Sequence, residues 1–572
     1  MAHAGGSNRP SITCLVLAIA CCVAPIAASQ QPAASAGLRR LAADGARRRP
    51  RGSAGGIPQS IIDAYSPAAG SDGAVAGSAA VTLRPPPPQR RPPPSPRRPR
   101  PPARRPPPPP MRRPPPAAPT FGPAAYAQVL AKSFLFYESQ RSGNISAGSR
   151  VPWRRSAHLA DRVPGGYYDA GDYLKISYTT AHATLMLAWG ALDFAGGMAR
   201  GNQTLRARSA VKWGADYLAA CHASPFQFVG LIGDMTIDHD YWGRPEEQRT
   251  SRPAWVWNRT TAASDLLGMA SAALSSTSLL FSSSQPAYAA VLLGKARQLY
   301  AWGAAVPGQY SDSMPGYPQD LYESNRYHDK LMLAAAWLHR ATGNASYLDA
   351  AHRHFQQTSF DNISPYTSYD SQFTMAATLL LGTAQRIGAA RVPGYSQYGA
   401  FIDSTFLQYH VAANGTWGIT RSPRGLVYPN WSTWGNNAYA ANTAFVALLR
   451  AKQLAAASPN RVAAIALAKS QVDYALGSAG RSYVVGWGTN PPLRCHHAGA
   501  SCPDRPAPCG WDQFDAPTPN PQVLHGALVG GPSGPGDAGY RDVRSDYESN
   551  EVAIDYNAGF TGALAGLLSL LP

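Results

Sequence analysis

The chain has 572 residues, a formal net charge of +18 and a pI near 9.7, values that first raise a polyanionic partner such as nucleic acid. Residues 1–118 hold 17 arginines and 3 aspartates, which leaves 34 basic against 30 acidic residues for the rest. The body of the chain is therefore close to neutral, and neither nucleic acid nor another polyanion is needed as its partner.

The N-terminus carries Arg9, an apolar run over 12–28 and a small-residue exit. This is the pattern of a secretory signal over residues 1–29, cleaved near Ser29. The run is shorter than the about 20 residues of a spanning helix, so no transmembrane helix is expected. Residues 30–82 are rich in Ala, Gly and Ser and are predicted to be disordered. Residues 83–119 are nearly all proline and arginine. Fixed φ, missing backbone donors and charge repulsion predict an extended polyproline II spacer there. The stretch resembles hydroxyproline-rich wall glycoproteins of plants and green algae, which implies cell-wall attachment.

Export makes the cysteines readable. Cys14, Cys21 and Cys22 leave with the signal, and Cys221, Cys495, Cys502 and Cys509 remain. The short CPDRPAPC loop favours a Cys502–Cys509 disulfide. The alternative, zinc held by Cys495, His496 and this pair, lacks the close C-x-x-C spacing. Sequons at Asn144, Asn202, Asn258, Asn344, Asn362, Asn414 and Asn430 suit an extracellular protein.

From residue 120 onward the texture changes. Amphipathic stretches predict helices near 123–140, 178–198, 203–221, 261–280, 285–303, 326–342, 346–358, 371–387, 395–411, 435–454, 460–476 and 550–570. About a dozen helices with long loops between alternate members suit an α/α toroid, although periodicity alone does not establish one.

Three segments carry chemistry. GGYYDAGDY at 165–173 sets Asp169 and Asp172 three residues apart in a glycine-rich loop, where each carboxylate raises the other's pKa and both can hold a water. An Asp-Gly turn capping the next helix is the plainer reading. RSDYESNEVAIDYNAGF, from 544, places Glu551 before an apolar helix, where burial would keep its proton; a helix-dipole role is the plainer reading. SYVVGWGTNPPLRCHHAGASC, from 482, supplies His496 and His497 as donors to sugar hydroxyls. Aromatic residues in DHDYWGRPE and AWVWN offer flat faces for pyranose rings.

These segments, in this order, together with RVPWR, WGNNAYAANTAF, QVDYALG and PNPQVLHGALVGGP, resemble glycoside hydrolase family 9, the inverting cellulases. The resemblance covers about 124 to 572. It implies an all-α (α/α)6 barrel with an open cleft and an endo-β-1,4-glucanase acting on cellulose-like glucans. It makes Asp172 the general base, Asp169 its partner in holding water, and Glu551 the general acid. It also assigns His496, Asp546, Tyr556, His239, Trp242, Trp434 and Tyr439 to the substrate.

The chain departs from the family at Ala498 and Ala438, where arginines are usual; each lost charged hydrogen bond costs about 1.5–3 kcal/mol. A family calcium loop aligns with Asn325 to Lys330, where Asp329 alone remains as an oxygen ligand and Lys330 brings positive charge. The reading therefore disfavours calcium, and no cofactor is expected. The competing hypothesis is a wall glycoprotein that binds glucan without cutting it. A third keeps the catalytic pair and changes the substrate to mixed-linkage glucan, xyloglucan or a chitosan-like polymer.

Overall fold

Helices apolar on every side belong in a core, and those apolar on one stripe belong around it. The computed structural model follows that division. It describes residues 121–572 apart from 319–320, 359–362, 535 and 538. The signal (1–29), the Ala/Gly/Ser-rich segment (30–82), the Pro/Arg-rich segment (83–119) and the Asn362 sequon lie outside the described residues.

The predicted helices appear as α1 (Pro123–Ser139), α2 (Ser177–Asp193), α3 (Thr204–Cys221), α4 (Ser264–Phe281), α5 (Pro286–Ala305) and α6 (His328–Thr342). They continue as α7 (Ser346–Gln356), α8 (Phe373–Ile387), α9, α10 (Asn436–Gln453), α11 (Pro459–Asp473) and α12 (Ile554–Leu570). α9 is composite: Tyr395–Ala400, a π-helical stretch Phe401–Leu407, then Gln408–Ala412. α1, α5 and α11 open on proline, whose missing N–H costs nothing in the first turn. α6 stops at Gly343 in the left-handed conformation, φ +71°.

The even-numbered helices pack in sequence, α2 on α4, α4 on α6, α6 on α8, α8 on α10, α10 on α12, and α12 returns to α2. Along α2 and α4 almost every side chain is buried, whereas α7 buries only Leu348, Ala350, Ala351 and Phe355. The odd-numbered helices pack outside this closed ring. Two concentric layers of six give the (α/α)6 arrangement that the resemblance implied.

Two features were not foreseen. Strands β1 (Lys175–Ile176), β2 (Gln227–Ile232) and β3 (Ala254–Asn258) form an antiparallel sheet in that order, and β4 (Ile419–Arg421) pairs with β5 (Val427–Pro429). The predicted helix at 550–570 begins only at Ile554. Ala553, its N-cap, is extended at φ −144° and ψ 156°.

Candidate active site

The GGYYDAGDY loop runs straight into β1 and α2, and its glycines shape it. Gly165 and Gly166 take φ of +88° and +76°, which a Cβ-bearing residue adopts only at a cost. A Cβ on Gly171 would stand 2.4 Å from the His496 carbonyl oxygen, so glycine lets two distant segments touch. The Ala498 N–H donates to the Gly171 oxygen at 2.8 Å, and the Ile554 N–H to the Asp169 oxygen at 2.9 Å.

Glu551 arrives from the other end of the chain. Its backbone is extended, φ −73° and ψ 155°. It pairs in parallel with His496, while Val552 pairs antiparallel with Val529. The Gly530 N–H donates to the Glu551 carbonyl at 2.9 Å. Short extended pairing, not a helix, therefore presents this side chain, with the Gly171 backbone near its carboxyl.

The three carboxyls meet different surroundings. Glu551 is 3% exposed. Burial, then the charges of Asp172 and Asp169, push it well above the usual glutamate range, and the nearby Gly171 amide opposes this only in part. Burial, then Asp555, pushes Asp169 well up; its carboxyl accepts from the Thr179 hydroxyl. Asp172 has a side chain 20% exposed and accepts from His239 Nε2 at 2.9 Å. Burial disfavours charge on His239, but the hydrogen bond and charge of Asp172, with Asp238 and Asp240, outweigh it and raise its pKa. Asp172 thus sits within reach of solvent beside His239, and Glu551 sits dry among other carboxyls.

A chain of rings joins three of the remaining predicted residues, Trp434, His496 and Trp242. Trp434 lies 5.9 Å from Tyr547, Tyr547 is 6.1 Å from His496, and His496 is 5.1 Å from Trp242, centroid to centroid. Trp242 continues to Phe514 at 4.8 Å and Trp511 at 5.8 Å. Tyr547 and Phe514 were not read from the sequence. His496 Nδ1 donates to the Arg544 carbonyl at 2.8 Å, which leaves Nε2 for a ligand. Burial brings its pKa down to about 4, so the ring is neutral.

His497 is used differently. Its Nε2–H donates to Gln140 Oε1 at 2.8 Å and its Nδ1 accepts from the Ala500 N–H at 2.9 Å. Both nitrogens are engaged within the protein, and His496 Nε2, bare in the neutral ring, can only accept from a sugar hydroxyl, so neither histidine donates to sugar as the sequence suggests. Asp546 caps the short helix Tyr547–Asn550 through the Ser549 N–H and pairs with Arg541 at 3.4 Å, steadying the turn before Glu551. Tyr556 is fully buried, its hydroxyl within the field of Asp555, Glu551 and Asp169. Tyr439 packs with Trp431 and Tyr366, off the ring chain. Ala438 packs with Ala170, Ala553 and Tyr556, and Ala498 with Tyr168, Tyr173 and Trp242.

Cys502 and Cys509 are bonded, with Cα atoms 5.2 Å apart. Their thiols are consumed, so the zinc alternative cannot assemble. Asp329 lies apart from this site, in the first turn of α6.

Arg544, buried and unremarked in the sequence, organises the wall. Its guanidinium donates to Asn520 Oδ1 at 2.8 Å and to the carbonyls of Gln513, Phe514, Ala516 and Thr518 at 2.6–2.9 Å. Arg544→Leu would orphan these acceptors, and one buried orphan costs about 1–3 kcal/mol. We expect a stability loss of at least about 3 kcal/mol, read as a lower Tm by scanning calorimetry, with a raised KM for glucan.

Comparison with known proteins agrees with this layout. The family model described as glycosyl hydrolase family 9 matches residues 126–564. Endoglucanase 14 of Arabidopsis thaliana is 36% identical over 469 residues, covering 77% of this chain and 93% of that one. Endoglucanase B of Cellulomonas fimi is 36% identical over 468 residues, covering 79% of this chain but only 42% of that protein. Among solved structures, an endoglucanase of the termite Nasutitermes takasagoensis superposes with a TM-score of 0.72 at 40% identity, covering 78% of this chain and 99% of that one. An α/α ring with paired carboxyls at its seam is that of a glycoside hydrolase. The chain belongs to glycosyl hydrolase family 9.

Proposed function

We propose that the protein is a secreted endo-β-1,4-glucanase that cuts internal bonds of cellulose-like glucans with inversion, Asp172 serving as base and Glu551 as acid. The observation that carries this reading is the unlike setting of the two carboxyls. Asp172 has a side chain 20% exposed and accepts from His239 Nε2 at 2.9 Å, whereas Glu551 is 3% exposed and burial favours its protonated form.

In a single displacement, Asp172 takes a proton as the water oxygen bonds to the anomeric carbon. The bond to the departing chain breaks, and its oxygen receives the Glu551 proton. Asp169 helps hold the water. Inversion calls for carboxyls roughly 6.5–9.5 Å apart, which leaves room for that water. The step draws on two carboxyls and water and on no cofactor. Trp434, Trp242 and Trp511 supply faces for successive glucosyl rings, and His496 Nε2 a contact near the cut. His239 positions Asp172, while Asp546, Tyr556 and Tyr439 border the same ground. The signal carries the protein out of the cell, and the Pro/Arg-rich segment holds it loosely to the wall.

Hydrolysis of cellopentaose followed by proton NMR tests this. Newly formed α-anomer at early times is expected, and newly formed β-anomer overturns inversion. A purified protein that binds carboxymethylcellulose but releases no reducing ends would instead be the glucan-binding wall glycoprotein. Such a protein has no need of a buried, protonated Glu551. Turnover that favours mixed-linkage glucan, xyloglucan or chitosan-like polymers would keep the mechanism and change the substrate.

A further inference from the structure

Away from the proposed active site, the start of α6 holds a fully buried lysine. Lys330 Nζ donates to Asp370 Oδ1 at 2.8 Å and to the Arg326 carbonyl at 2.9 Å, and lies 3.1 Å from Asp329 Oδ1. The two carboxylates are engaged from their other sides. The Gln372 N–H donates to Asp329 Oδ2 at 2.8 Å, and Asn325 Nδ2 donates to Asp370 Oδ2 at 3.0 Å. Lys330 is 0% exposed, Asp329 1% and Asp370 7%, so these charges are all but dry.

An ammonium has three donors, and here three oxygens surround it. The cluster ties the segment entering α6 to the segment entering α8, a task that a divalent cation performs in other loops through six to eight oxygens at about 2.3–2.6 Å. Calcium, which the family resemblance implies for this stretch, does not fit these residues. Its place between the two carboxylates is filled by Nζ, and a further positive charge there would meet the lysine.

We infer that Lys330 is a covalently tethered cation doing the bridging work of a metal ion, so that this chain holds its fold without calcium. Two carboxylates and one ammonium bridge the two segments, and a third carboxylate in place of the ammonium would turn the cluster into a divalent-cation site. The inference stands on the cluster itself and not on the glucanase reading.

Melting of the full chain, alone and with EDTA or millimolar calcium chloride, tests it. The wild-type Tm is expected to be the same in all three conditions. Lys330→Met leaves two buried carboxylates unpaired and is expected to lower Tm by roughly 5 °C, with no recovery in calcium. Lys330→Glu is expected to melt low in EDTA and to regain several degrees in calcium. A wild-type Tm that falls in EDTA and recovers in calcium overturns the inference, as does Lys330→Met melting like wild type. The wild-type arm decides the matter even if neither variant folds.

Discussion

Glu551→Gln is expected to lower kcat on cellopentaose by about 10²–10⁴-fold, the usual contribution of a general acid, with KM little changed. Glutamine keeps the shape without the acidic proton, so the loss isolates the proton. A substrate whose leaving group needs no protonation, such as a dinitrophenyl cellobioside, should recover most of the rate. A second signature lies in the pH profile. The acid works while protonated, so activity falls as pH rises through its pKa. Burial and the charges of Asp172 and Asp169 raise that value, which moves the alkaline limb above the ordinary carboxyl range. In Glu551→Gln this limb should vanish. Equal loss on both leaving groups would remove Glu551 from the acid's role.

Asp172→Ala is expected to cost a similar factor, about 10²–10⁴, on both kinds of substrate, because water must be activated whichever group departs. Azide needs no base and fits the space a carboxylate vacates. It should restore turnover and yield an α-glycosyl azide, since attack comes from the face opposite the departing chain. A β-azide would mean a covalent intermediate and a retaining enzyme. The variant also strips His239 of its 2.9 Å partner, so Asp172→Asn, which keeps a hydrogen bond, is the necessary control. Both variants should melt close to wild type if the effect is chemical.

The helices were legible because apolar periodicity survives in the sequence whatever the loops do. The start of α12 was not: Val552, Ala553 and Ile554 continue the apolar pattern, yet Glu551 and Val552 are held extended by His496 and Val529. Pairing with distant segments overrode the local signal. The carboxyls were named through the resemblance to family 9, since an Asp-Gly loop or a glutamate before an apolar helix reads as well as a cap or a dipole partner. Tyr547, Phe514 and Arg544 gave no such sign, since loop residues have no period and Arg544 acquires its meaning from five acceptors contributed by residues 513–520. Lys330 was read as hostile to calcium, but its partner Asp370 lies in another loop and only folding brings them together.

The Asp172 loop precedes the first inner helix of the ring, and Glu551 precedes the last, the two ends joined by the bond from the Ile554 N–H to the Asp169 carbonyl. A nascent polypeptide emerging from the ribosome carries Asp172 long before it carries Glu551. On this reading a growing chain cannot hydrolyse sugar until its final helix has docked. Catalysis is thereby a late event of biosynthesis, and a prematurely terminated product lacking α12 would be inert.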